Sequence, residues 1–160
     1  MKRQRVAKSP KGKSISHADF NESTRPPSVF GAMKWSRKIF VVEDDRDIRR
    51  LIKHVLTKAG FAVQCFSTFE TVIPEAEGNV PHLFVLDVML PGIDGLHLCR
   101  NIRKQELLGE LPILALSAKC SSRDKRLAFD AGATDYLTKP FSPTELLLRV
   151  RRLCGDPIVS

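Results

Sequence analysis

The chain has 160 residues, 42% of them hydrophobic, which is enough to bury one core of ordinary size and by length favours one domain over two. Its formal charge of +8 is unevenly spread, with ten Lys/Arg against two acids in residues 1–38 and sixteen of each in residues 39–160. A neutral domain behind a basic arm argues against a domain built throughout for nucleic acid, and no apolar run is long enough for a bilayer span or a signal peptide.

Residues 1–36 combine Lys, Arg, Ser, Pro and Gly with almost no apolar periodicity, which predicts a disordered basic arm. Within it, Lys8-Ser9-Pro10-Lys11-Gly12-Lys13 offers cations to phosphates, and a solvated tail is the plainer reading. Met33 is an alternative natural start, because Met33-Lys34-Trp35-Ser36-Arg37-Lys38 leads directly into the first predicted strand. The folded domain is expected over residues 37–155, with 156–160 as a tail or the start of a linker.

Strand and helix patterns then alternate five times, which predicts a parallel sheet with helices on its faces. Lys38 to Val42 reads as a strand. Ile48, Leu51, Ile52, Val55 and Leu56 fall at helical spacing before Gly60, giving a helix from Arg46 to Ala59. Phe61 to Phe66 is the second strand, and Ser67 with Glu70 forms a capping-box pattern for a second helix that Pro74 must kink or shorten. Leu83 to Leu86 is an unbroken apolar run, as in a strand covered on both faces, and ends at Asp87.

Pro91-Gly92 and Asp94-Gly95 mark a turn before a helix that begins near Leu96 and reaches about Gln105. Ile113 to Leu116 is the fourth strand, Arg123 to Ala131 the fourth helix, and Tyr136 to Thr138 a short fifth strand. Ser142, Pro143 and Glu145 supply the cap, first-turn proline and capping-box acid of a last helix that closes near Cys154. Right-handed crossovers make this a three-layer α/β/α sandwich; the strand order expected, 2-1-3-4-5, is that of known doubly wound folds and is not read from the residues. Cys65, Cys99, Cys120 and Cys154 show no metal-ligand spacing, so they read as scattered buried thiols of a reducing cytosol, and a soluble cytoplasmic protein is expected.

Four apolar runs end at residues useful to phosphoryl chemistry: Glu43-Asp44, Asp87, Ser117 and Lys139. In an open parallel sheet the strand carboxyl ends share one edge, where ligands bind. Glu43, Asp44 and Asp87 brought together repel without a cation, and their oxygens suit a hard ion such as Mg²⁺. Asp87 is the expected nucleophile, because it stands alone at the end of the central run. Ser117 offers a hydroxyl and Lys139 a positive charge to the oxygens on which charge accumulates.

The segments V-V-E-D-D, L-D-V-M-L-P-G-I-D-G-L, A-L-S-A and D-Y-L-T-K-P-F, in order, resemble the receiver domain of bacterial two-component response regulators over residues 38 to about 154. The pattern is nearest to receivers of winged-helix transcription regulators. The resemblance implies that Asp87 takes a phosphoryl group from the phosphohistidine of a sensor histidine kinase or histidine phosphotransfer protein. It assigns the metal to Glu43, Asp44, Asp87 and the Met89 main-chain carbonyl, a cis peptide to Lys139-Pro140, and a switch to Ser117 and Tyr136. In that switch Ser117 moves towards the phosphoryl group and the Tyr136 ring turns inward. Small Ala118 leaves room for the donor, and apolar Met89 is expected to disfavour attacking water.

Lys125, Asp130, Asp135, Glu145, Arg149 and Arg151 resemble the charges with which such receivers pair across a two-fold axis, although local pairing of Glu145 with Arg149 serves equally well. Two other classes compete. A phosphatase of the haloacid dehalogenase type shares the Asp, Mg²⁺, hydroxyl and Lys, but needs an acid where this chain has Met89. A nucleic-acid-binding protein could act weakly through the basic arm. No output domain is read within the 160 residues, so the chain is either a stand-alone receiver or a fragment whose nucleic-acid contacts lie elsewhere; no membrane partner is expected.

Overall fold

A computed structural model describes residues 36–90 and 94–155. The basic arm up to residue 35, the Pro91-Gly92 turn and the tail at 156–160 lie outside the described residues. Ten elements alternate strictly: β1 (Lys38–Val42), α1 (Arg46–Lys58), β2 (Ala62–Phe66), α2 (Val72–Gly78), β3 (Leu83–Asp87), α3 (Gly95–Arg103), β4 (Ile113–Ser117), α4 (Ser122–Asp130), β5 (Asp135–Thr138) and α5 (Pro143–Cys154). The strands form one parallel sheet in the order β2-β1-β3-β4-β5, as expected.

Strand side chains alternate between faces, so each strand feeds two cores. Phe40, Val42, Phe84, Leu86, Ile113 and Ala115 point to one side, where Val72 and Ala76 of α2, Leu98 and Ile102 of α3 and Ala128 of α4 cover them. Ile39, Val41, Leu83, Val85, Leu114 and Leu116 point to the other, against Ile52 and Leu56 of α1 and Leu146 and Val150 of α5. β3 and β4 are buried along their whole length, which accounts for their unbroken apolar runs. Burying each such Leu, Ile or Phe contributes about 1.5–3 kcal/mol.

The helix ends follow capping chemistry, with some departures from expectation. Asp45 caps α1 by accepting from the Asp47 and Ile48 amides at 2.9 and 3.0 Å. Ser142 caps α5 through the Glu145 amide at 3.1 Å, Pro143 occupies the first turn, and Gly155 ends the helix at φ +70°. The Ser67/Glu70 capping box does not form: α2 starts at Val72 behind Thr71, which makes no side-chain cap bond. Pro74 is the reason, since a proline is tolerated only in the first turn, where its missing N–H has no intrahelical partner to lose. α3 ends at Arg103, short of Gln105, and α4 starts one residue early, capped by Ser121 through the Asp124 amide at 3.1 Å. Cys99 and Cys154 are buried as expected, but Cys65 is half-buried and Cys120 is exposed on the loop after β4.

Candidate functional site

The carboxyl ends of β1, β3, β4 and β5 place the expected residues at one edge of the sheet. Glu43 follows β1, Asp87 ends β3, Ser117 ends β4 and Lys139 follows β5. Carboxylate oxygens of Glu43, Asp44 and Asp87 lie within 4.8 Å of one another. Glu43 and Ser117 are fully buried and Asp87 almost so, while Asp44 faces solvent. Lys139 Nζ lies 2.7 Å from Glu43 Oε2 and 3.0 Å from Asp87 Oδ2.

Electrostatics sort these groups. Burial pushes the Glu43 carboxyl up to about 7, helped by the Asp87 charge and opposed by Lys139 and the Asp45 amide. Burial would lower the Lys139 ammonium, but contacts with Glu43 and Asp87 outweigh it and raise its pKa. Glu43 Oε2 is buried and faces the Lys139 ammonium at 2.7 Å. A buried carboxylate beside two more acids, with oxygens within reach of one another, is a donor set that suits a hard divalent cation. Asp45, next in sequence, is held low by the Ile48 and Asp47 amides and serves as the helix cap.

Backbone donors fix two of these side chains. Met89 N–H donates to Asp87 Oδ1 at 2.8 Å, and the Lys119 amide donates to Ser117 Oγ at 3.1 Å. The Met89 side chain is 47% exposed. The Lys139–Pro140 peptide is cis. Tyr136 is 6% exposed, and its hydroxyl donates to the Lys119 carbonyl at 2.7 Å. The ring therefore already occupies an inward position, held by the loop that follows Ser117. An apolar groove lined by Ile48, Leu51, Ala118, Lys139, Pro140 and Phe141 opens beside Lys139.

The structural agreement extends to comparisons with known proteins. Residues 39–151 match the model of the response regulator receiver domain, and every site residue named above falls within that span. The chain belongs to the response regulator receiver family. This receiver is 43% identical over 118 residues to the alkaline phosphatase synthesis transcriptional regulatory protein PhoP of Bacillus subtilis, covering 74% of this chain and 48% of that one. It is also 43% identical over 120 residues to the transcriptional regulatory protein GltR of Pseudomonas aeruginosa, covering 73% and 48%. The chain thus spans about half the length of these curated relatives. A crystal structure of a candidate response regulator from Chloroflexus aurantiacus superposes with a TM-score of 0.72 at 37% identity, covering 76% of this chain and 99% of that one.

The six charges considered for a receiver dimer lie on α4, β5 and α5. Asp135 accepts from Arg149 Nη1 at 3.0 Å and from Arg152 Nη2 at 2.6 Å, while Glu145 lies 3.4 Å from Arg149 one turn away. These contacts offset the burial of Asp135 and hold its carboxyl below its usual range. Arg149 and Arg152 line one shallow groove with Glu145 and Leu148, whereas Arg151 lies against α1 in a groove with Leu51, Val55 and Leu147. Lys125 and Asp130 are on α4. Arg152, which also reaches Asp135, was not singled out in the sequence.

Sequence reasoning also passed over Gly95 and Arg49. A Cβ on Gly95 would stand 2.4 Å from the Asp87 carbonyl oxygen and 2.4 Å from Val88 Cα, so only glycine lets α3 start this close to the acceptor strand. The Asp94-Gly95 pair carried that signal but was read as a turn alone.

Proposed function

We propose that this receiver is a phosphoacceptor in a two-component phosphorelay, in which Asp87 takes a phosphoryl group from the phosphohistidine of a sensor histidine kinase or histidine phosphotransfer protein. The convergence of Glu43, Asp44, Asp87 and Lys139 at one sheet edge carries this reading. An Asp87 carboxylate oxygen attacks phosphorus, the P–N bond to imidazole breaks with its electron pair leaving on the imidazole, and an acyl phosphate forms. Mg²⁺, held by Glu43, Asp44, Asp87 and the Met89 carbonyl, would supply positive charge to the phosphoryl oxygens. Lys139 exchanges its contact with Asp87 for one with a phosphoryl oxygen, and Ser117 supplies a second donor. The Ala118 side of the adjoining groove leaves room for the donor's imidazole.

Ser117 and Tyr136 act as the switch, because the Tyr136 hydroxyl is bonded to the loop that Ser117 would draw towards the phosphoryl group. The α4-β5-α5 face is then the surface that changes for a partner or a second copy. Residue 89 separates this reading from a phosphatase: a hydrolase of similar parts needs an acid there, and Met89 offers none. The protein is accordingly read as a cytoplasmic signalling module and not as an enzyme. No helix among the described residues is long and apolar enough to cross a membrane. Nucleic acid would be reached through an output domain outside this chain, or weakly through the basic arm. Acetyl phosphate with Mg²⁺ tests the proposal: the intact protein gains one phosphoryl mass and Asp87→Asn gains none, whereas equal gain in both overturns it.

A further inference from the structure

The loop that carries the metal-binding acids is gripped by one residue of α1. Arg49 Nη1 donates to the Glu43 carbonyl at 2.8 Å and to the Asp44 carbonyl at 3.0 Å. Its main-chain amide donates to the Asp45 carbonyl at 2.9 Å. The guanidinium thus holds two consecutive carbonyls of the β1–α1 loop, while the main-chain bond to Asp45 is the first turn of the helix itself. Asp45 closes the same loop by capping α1 with its side chain and donating its amide to Glu43 Oε1 at 3.1 Å.

We infer that Arg49 is a positioning residue that fixes the Glu43-Asp44 main chain so that both carboxylates are preorganised for the cation. This rests on the proposed metal site. Crowding Glu43 and Asp44 beside Asp87 is unfavourable before a cation arrives, and repulsion would swing the exposed Asp44 away. A charge-assisted donor shared by two carbonyls resists that motion, and the planar guanidinium is suited to hold both at once. Lysine, a point charge on a flexible stem, would not keep the same geometry.

The sign of the effect separates this role from charge alone. Arg49 is a cation near a cation site, so by Coulomb's law its removal would tighten Mg²⁺ binding. Loss of a clamp behind metal ligands weakens binding, typically about 10–100-fold. Isothermal titration calorimetry with Mg²⁺ on the full chain is the measurement. Arg49→Ala is expected to bind Mg²⁺ at least ~10-fold more weakly and Arg49→Lys to fall between, with thermal melts checking that each variant folds. Arg50→Ala, which removes an exposed charge one residue away, is expected to bind as tightly as wild type or more so. Acetyl phosphate labelling of Arg49→Ala should recover at saturating Mg²⁺. Hydrogen exchange of the Asp47 and Ile48 amides in the metal-free protein should be about 10-fold faster in Arg49→Ala, since Asp45 accepts from both.

Unchanged or tighter Mg²⁺ binding in Arg49→Ala, or equal weakening in Arg50→Ala, overturns the clamp. Wild-type protein that binds no Mg²⁺ defeats the metal reading instead, and unchanged amide exchange then overturns the clamp on its own.

Discussion

Glu43 is the acid most fully withdrawn from water, and burial pushes its carboxyl up to about 7, well above the usual carboxylate range. Because the folded pKa lies above the unfolded one, the folded chain binds more protons between the two values. The contribution of Glu43 to stability is therefore complete below about pH 4.5 and is lost as pH rises through about 7. The melting temperature of metal-free protein, followed by circular dichroism, should fall between about pH 5 and pH 7.5, and Glu43→Gln should flatten that slope. Metal binding has the opposite sign, since a carboxylate must be deprotonated to bind, so Mg²⁺ affinity rises over the same range and binding releases protons. A slope unchanged in Glu43→Gln would show that Glu43 does not control it. Asp45 illustrates how local these effects are, for two helix amides keep it ionised two residues away.

Elements are tied together by side chains that sequence patterns do not reveal. Arg103, at the end of α3, donates to the carbonyls of Gly132, Gly109 and Leu111 at 2.8, 2.8 and 2.6 Å, joining the α3–β4 and α4–β5 loops. Gly132 has φ +111°, and a Cβ there would stand 2.6 Å from the Arg103 side chain. Arg103→Ala leaves these carbonyls without that donor and should cost about 2 kcal/mol in urea unfolding, with the midpoint lowered and the slope unchanged. A shift no larger than that of an exposed Arg50→Ala would contradict this role. Sequence patterns place Arg103 only within the third predicted helix, because its partners are carbonyls and carry no side-chain signal. The strands were legible, since β3 and β4 announce themselves by apolar runs and each ends at a reactive residue, whereas their order was carried over from known doubly wound sheets and not read from the residues. The α2 boundary was not, because Ser67 and Glu70 satisfy a local capping rule that Pro74 overrides. Glu43, Asp44, Asp87, Ser117 and Lys139 were legible as a set, whereas Arg49 was hidden because it acts on main-chain atoms.

At the scale of the whole molecule, the open question is what the α4-β5-α5 face meets. In the single chain Asp135 is already paired with Arg149 and Arg152, and Arg149 with Glu145, so symmetric pairing would have to exchange internal contacts for intermolecular ones. The more exposed Glu145–Arg149 contact contributes little and is cheap to exchange, the part-buried Asp135–Arg149 pair costs more, and Leu127, Phe129 and Leu148 offer exposed apolar surface for a partner to cover. If dimerisation uses this face, the phosphorylated protein should sediment as a dimer and Arg149→Glu as a monomer, with dimer formation unaffected by Arg149→Glu counting against it. All of this depends on where the phosphoryl group resides. Borohydride reduction after acetyl phosphate treatment with Mg²⁺, followed by peptide mass spectrometry, locates an acyl phosphate by converting the phosphorylated aspartate to homoserine. Homoserine at position 87 alone is the predicted result; homoserine at position 44, or none at 87, would contradict the assignment of Asp87 as the acceptor.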